Sequence, residues 1–97
     1  MTEEQKAICH KIADHYGEEH QMLKAVEEMA ELAQAILKLI NHEISYHDYL
    51  KELADVTIMI GQLKYINYKS GNHELLGAYI NEKINRQLKR MERENDG

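Results

Sequence analysis

The chain has 97 residues, with 17 acidic against 12 basic and a formal net charge of -5. That acidity argues against nucleic acid as a main partner, because phosphate-backbone binding needs a basic surface. Residues 1–6 are too polar for a signal peptide, and no apolar run nears the roughly 20 residues of a membrane helix, so no membrane partner is expected.

The single cysteine, Cys9, excludes an intrachain disulfide and suits a reducing compartment, which predicts a soluble cytoplasmic protein. With no proline and five glycines, the chain is poor in breakers and reads as all-α, one domain over residues 1–97.

Four helices are predicted in order. Thr2 and Gln5 form a capping box that opens helix one, over about 3–16, with Ile8, Ile12 and Tyr16 on one face and Gly17 as the stop. Helix two spans about 19–42. Its residues Met22, Val26, Met29, Ala33, Ile36 and Ile40 alternate four and three apart, which predicts the core stripe.

Ser45 with Asp48 caps helix three, over about 46–69. Val56, Ile58, Met59 and Ile60 make its middle apolar in every direction, so it is expected at the centre of a homo-oligomer. Ser70-Gly71-Asn72 turns the chain into helix four, over about 73–93. Leu76, Ile80, Ile84, Leu88 and Met91 form an apolar stripe there, beside a basic one of Lys83, Arg86, Arg90 and Arg93. Residues 94–97 are expected to fray. The whole predicts a four-helix, bundle-like fold.

Two acidic pairs interrupt this pattern. Glu28 heads the stripe Glu28, Leu32, Ala35, Leu39, with Glu31 three residues on. Asp55 heads Asp55, Met59, Ile66, with Glu52 one turn before it. Spacing of i, i+3 sets each pair side by side on one helix surface. An E-x-x-E pair arises easily by chance in so acidic a chain, and Glu31 lies opposite the predicted core stripe, which favours a solvated face. Asp55 argues the other way: aspartate is a poor helix-interior residue, and it sits between Leu53-Ala54 and Val56-Thr57-Ile58. Carboxylates near a core need cations, and hard divalent ions that also bridge to phosphate are natural partners.

The run from Glu27 to Ile36 (EEMAELAQAI), followed by Glu52-Leu53-Ala54-Asp55-Val56, resembles the MazG family of all-α nucleoside triphosphate pyrophosphohydrolases. The likeness covers roughly residues 20–93 and includes the basic segment from Glu82 to Arg90. It implies that Glu28, Glu31, Glu52 and Asp55 hold Mg²⁺, with Mn²⁺ as a substitute. It implies hydrolysis of a nucleotide substrate, NTP or dNTP, to a monophosphate and pyrophosphate, in a homodimer or homotetramer. Glu27 or Glu28 is then expected to position the attacking water, and Lys83, Arg86 and Arg90 to contact the departing pyrophosphate. The ordinary alternative for those cations is that they complement the helix dipole.

Departures from the family pattern are Met59, where several relatives carry an aromatic, and the lack of Trp and Phe. The alternative function is a non-catalytic, homo-oligomeric interaction or nucleotide-binding module. The six histidines are expected at the surface and Cys9 in the core. No glycine pattern makes a phosphate loop, and Tyr65, Tyr68 and Tyr79 are candidate base-stacking residues.

Overall fold

Each helix begins where the sequence supplies a cap or a breaker. The structure is a computed structural model that describes residues 1–96, and its elements are α1 (Glu3–Tyr16), α2 (Glu18–Ile40), α3 (Tyr46–Lys69) and α4 (His73–Asp96), with no strand among the described residues. Thr2 Oγ1 accepts from Gln5 N at 3.0 Å, and Gln5 Oε1 accepts from Thr2 N at 2.9 Å, which closes the capping box. Ser45 and Asp48 repeat the exchange at the start of α3. Gly17, at φ +90, ends α1 and offers its carbonyl to Gln21 N, the first turn of α2; an L side chain would be strained there.

Two ends differ from the sequence reading. α2 stops at Ile40 rather than residue 42, where His42 takes φ 60. α4 continues through Glu94 to Asp96 where fraying was expected, since nothing in Glu92-Arg93-Glu94 breaks a helix; Gly97 lies outside the described residues.

The chain divides into two compact units, residues 1–66 and 67–97. In the first, the buried set is Cys9 and Ala13 of α1, Gln21, Ala25, Glu28 and Ala35 of α2, and Val56, Met59, Gln62 and Ile66 of α3. Alanines on the inner faces let the helix backbones come close. The expected core stripe of α2 is a correction. Met22, Val26 and Ile40 are 50%, 66% and 66% exposed, and Met29, Ala33 and Ile36 are exposed too.

The face that α2 buries is instead the one that runs through Glu28, with Leu32 and Leu39 half-buried along it. The larger apolar side chains misled the assignment, because within this chain the narrow, small-residue face is the one that packs. On α3, Ile58 and Ile60 stay exposed, so the chain covers only one side of that helix.

In the second unit the turn after α3 is held by Asn72 N to Asn67 O at 2.9 Å and by Gly71 at φ +81. α4 buries none of its residues. No helix of the described residues is long and apolar enough to cross a membrane. The histidines are exposed and Cys9 is buried, both as expected.

α2 and α3 are joined by a hydrogen bond between two buried amides. Gln21 Nε2 donates to Gln62 Oε1 at 2.7 Å, with Gln21 3% and Gln62 1% exposed. Replacing one glutamine strands the other amide without water, so Gln21→Leu alone should cost about 1–3 kcal/mol, whereas Gln21→Leu with Gln62→Leu should recover most of that loss. Urea unfolding of the wild type, both single variants and the double variant closes this cycle; additive losses would contradict the pairing.

Candidate metal centre

The amide pair sets the register of an antiparallel α2–α3 hairpin. Seven residues along α2 from Gln21 is Glu28, and seven back along α3 from Gln62 is Asp55. Three more in each direction are Glu31 and Glu52. Both helices rise about 1.5 Å per residue, so pairs that start level stay level. The acids of the two motifs are thereby set opposite one another, two turns from the amides.

Three of these acids converge. One carboxylate oxygen each from Glu28, Glu31 and Glu52 lies within 4.8 Å of the other two. Glu28 is 9% exposed, Glu52 is half-buried and Glu31 is exposed. Glu28 Oε2 and Glu52 Oε2 are both buried and accept no hydrogen bond. A buried carboxylate oxygen left unpaired is costly, and gathering several carboxylates adds repulsion to that cost.

Lys24 stands at the edge of the cluster, its Nζ 3.2 Å from Glu28 Oε1 and 3.7 Å from Glu27 Oε2. The hydrogen bond to Glu28, and then the charge of Glu27, hold the Lys24 ammonium above its ordinary pKa. Even counted wholly against Glu28, Lys24 leaves Glu31 and Glu52 as two uncompensated negative charges, the charge of one divalent cation. The tension registers at Glu31, whose carboxyl is pushed above the usual carboxylate range by the charge of Glu28 first, then by burial and by Glu52. The donors are all carboxylate oxygens, a set that fits a hard ion, and Glu28 and Glu52 each keep one buried oxygen without a hydrogen-bond partner.

Asp55 is not part of this triplet. It is exposed and lines, with Glu27, Glu28 and Lys24, a neighbouring cleft of about 600 Å³. The opposite end of that cleft carries Tyr16, His20, Gln21, Met59 and Gln62. The four-acid set expected from sequence is thus three gathered carboxylates plus Asp55 on the cleft wall. Lys83, Arg86 and Arg90 are exposed residues of the second unit, and Arg86 Nη2 donates to Glu82 Oε1 at 3.0 Å. Of the candidate stacking tyrosines, Tyr65 stacks on His10 at 4.1 Å and donates its hydroxyl to Asp14 at 2.7 Å, while Tyr68 and Tyr79 belong to the second unit.

Sequence reasoning missed Lys24, Tyr16, His20 and the two glutamines. A signal was present: the stripe through Glu28 extends back to Ala25 and Gln21, and the one through Asp55 extends forward to Met59 and Gln62. Compared with protein-family models, curated proteins and solved structures, the chain has no significant match.

In metal-free protein Glu31→Gln removes a charge that its neighbours repel, so the variant should melt above wild type at pH 7. The raised pKa fixes the sign. Protonating Glu31 relieves the same repulsion, so wild type gains on the variant as pH falls through that elevated range, and the gap closes in acid. Millimolar Mg²⁺ should reverse the order at pH 7, because the variant lacks a ligand. Thermal melts with chelator or Mg²⁺ across pH read all three; identical curves would contradict the cluster.

Proposed function

We propose that this chain is a metal-dependent nucleoside triphosphate pyrophosphohydrolase of the MazG type, releasing a nucleoside monophosphate and pyrophosphate. The observation that carries the reading is the pair of buried, unpartnered oxygens on Glu28 and Glu52, clustered with Glu31, where Glu28 also lines a cleft large enough for a nucleotide. The two motif pairs that suggested the family supply those atoms.

Glu28, Glu31 and Glu52 would hold Mg²⁺, or Mn²⁺ in its place. When bound, the ion neutralises phosphate charge and makes the α-phosphorus a better electrophile. Glu27 and Asp55, both exposed on the same cleft, orient a water, and one of the two carboxylates takes its proton as it adds to that phosphorus. The α–β anhydride bond breaks and its electron pair leaves on pyrophosphate. Lys24, which lines the same cleft, would offer its ammonium to the phosphates as a point charge. No covalent protein intermediate is needed, since positioning and electrostatics supply most of the effect in phosphoryl transfer.

The working form is a homo-oligomer. Met22, Val26, Met29, Ile36 and Ile40 form a continuous apolar face on α2 that the chain leaves uncovered, and the stripe of α4 from Ile80 to Met91 is about half exposed. A second copy is the partner we assign to these faces. They equally favour the second reading, a non-catalytic helical assembly, which the acids distinguish: an inert assembly has no use for Glu52 or Asp55.

Pyrophosphate release from standard NTPs and dNTPs should require Mg²⁺ or Mn²⁺, and should fall by about 100-fold or more in Asp55→Ala and Glu52→Gln. Activity that survives both substitutions, or none from any nucleotide, would leave the second reading. Sedimentation at micromolar concentration should show a dimer or tetramer, with Val26→Glu shifting it toward monomer.

A further inference from the structure

The cleft changes character along its length. At one end stand Glu27, Glu28, Asp55 and Lys24; at the other, Tyr16, His20, Gln21 and Gln62. Seven residues on each helix separate the ends, about 10 Å of rise, which is the reach from an α-phosphate across a ribose to its base. The Tyr16 and His20 rings stack at 4.9 Å between centroids and 14° between planes, and both residues are exposed. They form a two-ring stack beside the opening.

The floor is polar and ordered. His20 Nδ1 lies 2.7 Å from Gln21 Oε1, a contact that the Nδ1–H tautomer of the ring makes by donating. Gln21 Nε2 donates in turn to Gln62 Oε1, and Gln62 Nε2 reaches only the thioether of Met59, at 3.8 Å. A carboxamide nitrogen has two hydrogens, and this relay engages one strongly on Gln21 and one weakly on Gln62. The run of donors turns both amide oxygens to protein groups and leaves N–H hydrogens to spare. Two buried glutamines are an expensive way to fill a small core, and a leucine pair would fill it without them.

We propose that this end of the cleft is the base subsite. A nucleobase extends the Tyr16–His20 stack on its outer face, and the Gln21–Gln62 relay donates to a ring carbonyl oxygen at the base's edge. The subsite rests on the pyrophosphohydrolase reading and narrows it: the substrate is a nucleoside triphosphate whose base carries such a carbonyl, as uracil, guanine and hypoxanthine do and adenine does not.

The test compares uridine, inosine and adenosine triphosphates in a pyrophosphate-release assay with Mg²⁺, and titrates UMP and AMP into labelled protein by NMR. Wild type should favour the carbonyl-bearing substrates over adenosine triphosphate by about tenfold or more in kcat/KM, the worth of a well-placed base contact. Gln21→Leu with Gln62→Leu should bring that ratio near one. Tyr16→Ala, an exposed change that spares the core, should raise KM for every base with little change in kcat.

Equal kcat/KM for all three bases in wild type, or a preference that the double variant keeps, overturns the subsite and leaves the hydrolase standing. No turnover at all, with UMP still shifting Tyr16 and Gln21 signals more than AMP does and that difference lost in the double variant, upholds the subsite and overturns the reaction. Absence of any nucleotide-induced shift in folded wild type overturns it.

Discussion

The hydrogen bond between Gln21 and Gln62 is the constraint on which the rest of the site depends. It joins α2 to α3 at one level, and equal rise along two antiparallel helices then fixes every later pairing. A slip of one residue would turn Glu28 and Glu52 by about 100° around their helices and disperse the acids. Apolar contacts alone tolerate such slips, because alanines and methionines repack. A buried amide pair does not, since misalignment strands two polar groups in the core.

What that register assembles is unfavourable by itself. Three carboxylates meet with one ammonium at their edge, and two of their oxygens are buried without a donor. A small domain has little stability to spare for such repulsion, and its buried set is thin, made largely of alanines with Cys9, Val56, Met59 and Ile66. Under the proposed function, a cation supplied from solution would relieve the repulsion, and a second copy on the open face of α2 would add the apolar burial that the chain lacks. That proposal links ion binding, assembly and stability, and would make the metal-free single chain the least stable state.

Much of the fold was legible in the sequence, because its helix ends are written in local chemistry. Thr2 with Gln5, Gly17, Ser45 with Asp48, and Gly71 each act within a few residues, and each boundary falls on or near its signal. The buried face of α2 was not legible from periodicity. Two apolar stripes compete on that helix, and size favours the one from Met22 to Ile40 when only one partner surface is assumed. The smaller stripe through Ala25, Glu28 and Ala35 packs within the chain because only small residues let α2 approach its neighbours. The acids Glu28, Glu31 and Glu52 could be named from their spacing. That Asp55 stands outside the triplet, and that Lys24 engages Glu28, depends on side-chain reach across the hairpin, which spacing does not encode.

The central claim is that Glu28, Glu31 and Glu52 form a metal centre, and anomalous diffraction from crystals grown with Mn²⁺ tests it most directly. The account predicts a single-site peak bonded to an oxygen of each of these three residues, with Lys24 turned away from Glu28. Crystals in which no peak appears there, and in which Lys24 still spans Glu27 and Glu28, would contradict it.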